Sequence, residues 1–211
     1  MKIQEAYDKW AGQYDASKNR TRDLEAHALK KELANIAFQN CLEIGCGTGK
    51  NTEWLIKKGK HVTAVDFSTE MLTRAKNKII SDKVCFRQAD ITEEWFFAEK
   101  PFDLVTFSLV LEHIKDLDNV LQKASRATSP GGHLYIGELH PYKQYLGTKA
   151  RFETEEGRVE LTCFNHHISD FTQSAQGYGF SVVDINEYFD GDDRGEAPRI
   201  LTILLRKDSA K

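Results

Sequence analysis

The chain has 211 residues, 40% of them hydrophobic and 29% charged, with a formal charge of -3 at pH 7. That length suits one domain, residues 1–211, with room for a short insertion, and the apolar fraction is enough for a buried core. The weak negative charge argues against a basic surface that tracks phosphates, so nucleic acid is not an expected partner.

The opening Met1-Lys2-Ile3-Gln4-Glu5 lacks the apolar core of a signal peptide. The longest apolar run, residues 104–111, is too short to cross a bilayer, so no membrane contact is expected. Cys41, Cys46, Cys85 and Cys163 show no CxxC spacing, which reads as reduced thiols in a cytoplasm. The same spacing, with no HExxH or HxH among the histidines, gives no metal site.

In chain order, the first segment reads as a helix with Ala6, Trp10 and Tyr14 on one face and Tyr7 close by. A second helix follows Arg20-Thr21-Arg22, with Leu29, Leu33, Ile36 and Ala37 as its apolar stripe. Asp23 and Glu25 sit in its first turn, where acids complement the helix dipole. Residues 1–38 thus form a pair of N-terminal cap helices.

The strongest signal is Cys41-Leu42-Glu43-Ile44-Gly45-Cys46-Gly47-Thr48-Gly49-Lys50. An apolar strand runs into alternating glycines, and a helical pattern starts directly afterwards at Lys50. This layout carries backbone N–H groups up to a small ligand. The dinucleotide spacing G-x-G-x-x-G fails, because its third glycine would fall on Lys50 or Thr52. Glu43, two residues before the first glycine, suits a ligand with cationic character rather than a diphosphate.

A second strand ends at Asp66, whose two oxygens can accept both hydroxyls of a ribose. Ser68-Thr69-Glu70 then opens a helix as cap and first-turn acid. The third strand ends at Asp90-Ile91, an acid for an adenine amino group followed by an N–H for a ring nitrogen. Strand four, Phe102-Asp103-Leu104-Val105-Thr106-Phe107, leads into Ser108-Leu109-Val110-Leu111-Glu112-His113 and a helix from Asp116. Ser129-Pro130-Gly131-Gly132 is a turn, and strand five runs from His133 to Leu139, before His140.

Alternation stops over residues 142–165, where 150–154 and 158–164, joined through Glu155-Glu156-Gly157, read as a hairpin forming an inserted lid. A helix with Ser169 as its cap, strand six over 181–188, a polar loop and a last strand over 199–205 complete the chain. Asp190-Gly191-Asp192-Asp193-Arg194 starts like a calcium loop, but Arg194 stands where an oxygen ligand is needed.

Glu43-x-Gly45-x-Gly47-x-Gly49, Asp66, Asp90, Phe102-Asp103-Leu104-Val105, Leu111-Glu112-His113 and Pro130-Gly131-Gly132 together resemble the class I S-adenosylmethionine (SAM) methyltransferases, in their small-molecule, type 11-like branch. The resemblance covers residues 5–140. It implies an α/β fold: a Rossmann-like doubly wound seven-stranded sheet of order 3-2-1-4-5-7-6, strand seven antiparallel, with a lid inserted after strand five. The implied activity is methyl transfer from SAM, leaving S-adenosylhomocysteine (SAH), to a small-molecule acceptor, by a monomer or homodimer. Trp10-Ala11-x-x-Tyr14-Asp15 looks like the family's N-terminal segment, whose tyrosine approaches SAM.

The donor-site candidates are Tyr14, Arg22, Glu43, Gly45, Cys46, Gly47, Asp66, Phe67, Met71, Asp90, Ile91 and Ser108. His140, then His113 and His167, are the candidate acceptor contacts or bases, with His166 beside them. A base is needed only for an acceptor that arrives protonated, and an oxygen, nitrogen, sulfur or carbon nucleophile fits equally well. Two alternative readings are a SAM-binding module without catalysis and an NAD(P)-dependent short-chain oxidoreductase. The latter rests on Tyr145-x-x-x-Lys149, whose Gly147-Thr148 interior opposes the helix that signature needs.

Overall fold

The structure, a computed structural model, describes residues 3–15, 18–154, 157–191 and 194–209. Two helices, α1 (Ile3–Tyr14) and α2 (Arg20–Glu32), precede an alternation of strand and helix. That alternation runs β1 (Asn40–Ile44), α3 (Thr52–Lys58), β2 (His61–Asp66), α4 (Thr69–Lys78), β3 (Val84–Gln88), β4 (Phe102–Ser108), α5 (Leu117–Ala127) and β5 (Thr128–Leu139). After β5 come α6 (Pro141–Tyr145), the hairpin β6 (Arg151–Thr154) and β7 (Gly157–Glu160), then α7 (Ile168–Gly177), β8 (Phe180–Tyr188) and β9 (Ile200–Lys207).

Seven strands form one sheet in the order β3-β2-β1-β4-β5-β9-β8, with β9 antiparallel to both its neighbours. This is the expected 3-2-1-4-5-7-6 order once the separate β6-β7 pair is set aside. Strands buried on both faces read as apolar runs, and alternate residues serve opposite layers. Leu42, Ile44, Val65 and Phe107 pack with α5 and α7 through Leu121, Ala124, Phe171 and Ala175. Cys41, Val62, Ala64 and Tyr135 pack on the other face with Leu29 of α2, Leu55 of α3 and Leu72 of α4.

Several local expectations shift. Helix α3 starts at Thr52 because Lys50 and Asn51 complete the glycine turn. Strand β5 begins at Thr128, ahead of the expected turn, because Phe102 pairs with Thr128 and Leu104 with His133. The Ser-Pro-Gly-Gly stretch is thus a bulge within the ladder, with Gly131 at φ 75°. Helix α7 is capped at His167, whose N–H donates to Asp170 at 2.7 Å, and not at Ser169. Ala37 is exposed, whereas Glu25 is 2% exposed and lies on the packed face of α2.

The hairpin forms with Arg151 opposite Glu160. Glu155 and Glu156 of its expected turn, and Asp192 and Asp193 of the calcium-like loop, lie outside the described residues. Tyr145 closes α6 and Gly147 follows at φ 86°, so Tyr145 and Lys149 do not share a helix.

Gly49 stands at φ 81°, and a Cβ there would meet the Ile79 Cδ1 methyl at 2.6 Å. We expect Gly49→Ala to destabilise the fold by about 2 kcal/mol, the sum of a left-handed alanine and local repacking. Chemical denaturation with an unchanged m-value checks this.

Candidate active site

The β1–α3 turn is stitched to the end of β2. Gly45 and Cys46 donate their N–H groups to the Val65 carbonyl at 2.8 and 3.0 Å. Gly47 donates to Asp66 Oδ2 at 2.8 Å, and Ser68 to Oδ1 at 2.9 Å. Both carboxylate oxygens are thereby oriented, each keeping a further lone pair for a hydroxyl. Gly45 has φ 74°, and a Cβ on it would strike Val110 Cγ2 at 2.1 Å, so only glycine fits where the turn meets the β4 loop.

Three adjoining cavities open at the carboxyl ends of β1 to β4, where the sheet's winding direction reverses. The first, of about 190 Å³, is lined by Gly45, Asp66, Phe67, Asp90, Ile91, Ser108 and His113, under Tyr7 and Tyr14 of α1. The second, of about 40 Å³, is lined by Arg22, Glu25, Glu43, Cys46, Lys50 and Asn51. The third, of about 330 Å³, lies between the aromatic face of α1 (Tyr7, Trp10, Tyr14) and residues 148–151 ahead of the hairpin. Leu109 lines all three and holds φ 57°, a strained backbone for a non-glycine residue. A wider cleft of about 680 Å³ lies by Asn40, His61 and Phe102, at the opposite ends of the strands.

Helix α1 roofs the first cavity through specific bonds. Gln4 donates to the Phe67 carbonyl at 3.1 Å, Ser68 to Asp8 at 2.6 Å, and Thr48 to Asp15 at 2.7 Å. Tyr7 Oη lies 2.9 Å from His113 Nε2. The other ring nitrogen, Nδ1, is 3.0 Å from the Thr162 carbonyl, which can only accept. Nδ1 therefore carries the hydrogen, and Nε2 presents a lone pair to the Tyr7 hydroxyl.

The floor is a basin of buried carboxylates. Burial raises Glu25 to about 7, against hydrogen bonds from Asn51, Ser108 and Tyr135. It raises Glu43 to about 8, opposed by the Thr52 hydroxyl at 2.5 Å and reinforced by the charges of Glu25 and Asp66. Asp66 is raised to about 6 by burial, held down by its backbone N–H partners. Glu138, which accepts from Val110 and Leu111 at 2.9 and 2.8 Å, is raised to about 8 by burial and by Glu112. Asn51 Oδ1 is buried without a hydrogen-bond partner, a pattern suited to a bound cation.

Of the sequence candidates, Tyr14, Arg22, Glu43, Gly45, Cys46, Asp66, Phe67, Asp90, Ile91, Ser108 and His113 line these cavities. Gly47 contributes through Asp66. Arg22 donates to the Tyr14 carbonyl and its guanidinium sits 4.8 Å above that ring. Asp90 is exposed, its Oδ1 taken by the N–H and hydroxyl of Thr92 at 2.8 and 2.7 Å.

Met71 is not brought in: it is buried in the α4 packing. His140 is not either. Its Nδ1 accepts the Tyr142 N–H at 3.1 Å, and its Nε2 meets Glu187 at 3.0 Å, so it caps α6. His167 meets Tyr145 Oη at 2.6 Å at the start of α7, and His166 donates to the Ile114 carbonyl at 2.7 Å. These three histidines are local fasteners of the chain after β5.

Tyr7, Glu25 and Asn51 are cavity residues that the sequence candidates did not include. Tyr7 was visible as a neighbour of the aromatic face. Glu25 looked like a dipole acid, and only the rotation of α2 turns it inward. Asn51 sits in the continuation of the glycine turn, whereas Leu109 belongs to the stretch after strand four expected to face the acceptor.

A doubly wound sheet with β9 reversed, a glycine turn bound to the acid ending β2, and a second acid after β3 define the class I methyltransferase fold. Residues 42–136 match the family model described as a methyltransferase domain. That segment is under half of the 211 residues, and over it the chain is similar to methyltransferase domains.

The ubiquinone biosynthesis O-methyltransferase of Colwellia psychrerythraea is 37% identical over 108 residues, covering 50% of this chain and 44% of that protein. The malonyl-[acyl-carrier protein] O-methyltransferase of Erwinia billingiae is 36% identical over 113 residues, covering 52% and 44%. The chain thus spans about half the length of the curated relatives it matches. The solved structure of DhpI with SAH shares the fold at a TM-score of 0.77 and 24% identity, covering 98% of this chain and 96% of that one. Among the described residues no helix is long and apolar enough to cross a membrane, and no cluster of His, Cys, Asp or Glu could hold a metal.

The raised carboxyls link pH to stability. In the folded chain Glu43 and Glu138 keep their protons up to about pH 8, whereas the unfolded chain releases them near the ordinary value of 4.5. Their contribution is complete below that lower value and is lost as pH rises through 8. We expect thermal unfolding of the unliganded protein to move to lower temperature between pH 5 and pH 8, and Glu43→Gln to flatten that slope, as followed by circular dichroism.

Proposed function

We propose that this protein transfers the methyl group of SAM to a small-molecule acceptor. The observation that carries the reading is the chain of three cavities: an acid-edged apolar slot, a charged niche and an aromatic chamber, meeting at Leu109. Asp66 accepts from the ribose hydroxyls, while Asp90 and the Ile91 N–H face the adenine, with Phe67 as an apolar wall. In the niche, Glu43, Glu25 and Asn51 suit the ammonium of the amino-acid end, and Arg22 its carboxylate. Cys46 and the Gly45 backbone bring the turn up against it, and Tyr14 and Ser108 bound the sulfonium region.

When bound, SAM supplies a methyl group already activated on its sulfonium. What remains for the chain is alignment and the exclusion of water, worth several kcal/mol and up to about 7–11 in the best intramolecular cases. Helix α1 excludes water by its bonds to Phe67, Ser68 and Thr48. His113 is the residue that takes a proton: its Nε2 lone pair points at the first cavity's wall through Tyr7, and Thr162 fixes the tautomer. Burial holds the Tyr7 phenol well above its ordinary range, so it stays protonated and relays rather than ionises.

Residues 1–38 act as the cap and 142–165 as the lid of one domain. Ala150, Val159 and Leu161 of the lid pack on Ala6, Tyr7 and Trp10 of α1, which supports joint closure over the acceptor. The four cysteines are free thiols, in keeping with a cytoplasmic enzyme. We take it to act as a monomer or homodimer, on a metabolite and not on nucleic acid.

Incubation with SAM and an acceptor panel, read by mass spectrometry, should yield SAH and a product heavier by one methylene. SAH binding without turnover of any acceptor would favour the non-catalytic module. Asp66→Ala should weaken SAH binding at least about tenfold in calorimetry, while the far-ultraviolet spectrum is retained. His113→Gln should lower kcat by about 10²–10⁴ for hydroxyl or ammonium acceptors, with SAH affinity changed less than about threefold.

A further inference from the structure

The third cavity departs from the charge of the whole chain. Against a formal charge of -3, its lining carries Lys18, Arg20, Arg22, Lys149, Arg151 and Arg199. Glu112 is its one carboxylate among the described residues. That acid is 6% exposed and raised by burial, so it does little to neutralise the lining. Arg22 belongs to the donor niche as well, and Arg199 is clamped by Asp190 and Thr21.

The remaining four stand at the outer side of the chamber, on two separate chain segments. Lys18 precedes α2 and Arg20 opens it, while Lys149 precedes β6 and Arg151 opens it. Among the described residues no ion pair engages any of them, although Glu160 lies opposite Arg151 in the hairpin. Of the four, Arg20 shares the field of Asp190, which Arg199 already clamps, so the exposed cations outnumber the carboxylates near them; they repel one another, and a bound anion relieves that repulsion. Opposite them, Trp10 and Tyr14 pack edge to face at 4.8 Å, and Tyr7 lies 5.7 Å from Trp10.

We propose that the acceptor carries an anionic oxygen group, carboxylate or phosphate in type, on an apolar or aromatic body. The anion is gripped by Arg20, Lys149 and Arg151, and the body lies along the Tyr7–Trp10–Tyr14 wall. The anion is an anchor and not the nucleophile, because Arg20, Lys149 and Arg151 line the third cavity alone while His113 lines the first alone. An arginine fork suits an oxyanion in two-point fashion, and the paired segments explain why cap and lid close together on substrate. This inference rests on the methyl-transfer reading for its word acceptor, but the anion preference of the chamber can be measured without turnover.

The test uses benzoate, phenyl phosphate and the neutral isostere benzamide as probes, titrated by ligand-observed NMR with and without saturating SAH. Benzoate or phenyl phosphate should bind about tenfold more tightly than benzamide, with the gap shrinking as salt is raised. The better of the two anions assigns the acceptor to the carboxylate or the phosphate class. In Arg20→Gln/Arg151→Gln the preference should vanish while SAH affinity stays as in the unmodified protein. Equal binding of benzamide and both anions, or an anion preference that survives the double substitution, overturns the proposal. Failure of SAH to bind would instead strike the donor site, and the anion comparison in its absence would still stand or fall by itself.

Discussion

The bond from the Gly47 N–H to the Asp66 carboxylate joins the loops after β1 and β2, and the rest of the site is arranged around it. It works because β1 and β2 are parallel neighbours in register, so their carboxyl ends arrive side by side. The turn must coil with positive φ at Gly45 and Gly47 to aim that N–H sideways. With Ser68 holding the other oxygen, Asp66 becomes a fixed acceptor whose geometry exists before any ligand arrives. Preorganisation of this kind spares a ligand the work of ordering its own site.

Fixing so many acids in one place is unfavourable for the empty protein. Glu25, Glu43, Asp66 and Glu138 are all buried and all raised by desolvation. Their protonation relieves the repulsion when the cavities hold no cation. A bound cation would bring the countercharge the basin lacks, so the same groups that weaken the unliganded fold would favour such a ligand. Chemistry and stability are opposed here, as is common where function requires buried charge.

Charge is sorted by depth. Acids collect at the sheet ends, and lysines and arginines collect at the mouth, around the link from α1 to α2 and the start of the hairpin. The boundary is Leu109, forced into a left-handed backbone between Ser108 and Val110. Its N–H bond to Gly137 and the hydrogen bonds from Val110 and Leu111 to Glu138 hold that loop to β5. A buried glutamate beneath the loop thereby helps to set the wall shared by the three cavities.

The fold was legible in the sequence because its signals are local. Apolar runs of strand length, glycines at alternate positions and acids at strand ends each follow from the chemistry of a few adjacent residues, and their repetition implies a parallel sheet with a known crossover hand. Glu43, Asp66, Asp90 and the glycines are found by that route. The histidines are not, since His140 and His113 follow successive strands and the sequence ranks His140 ahead of His113. Only packing across the chain gives one to a helix cap and the other to Tyr7 and Thr162, 106 and 49 residues away. The same holds for Glu25, turned inward by the docking of α2, and for the cations of the outer chamber, drawn from segments far apart in sequence. Periodicity specifies which face of an element is buried, but what it is buried against depends on contacts between distant segments, and those form only in the folded chain.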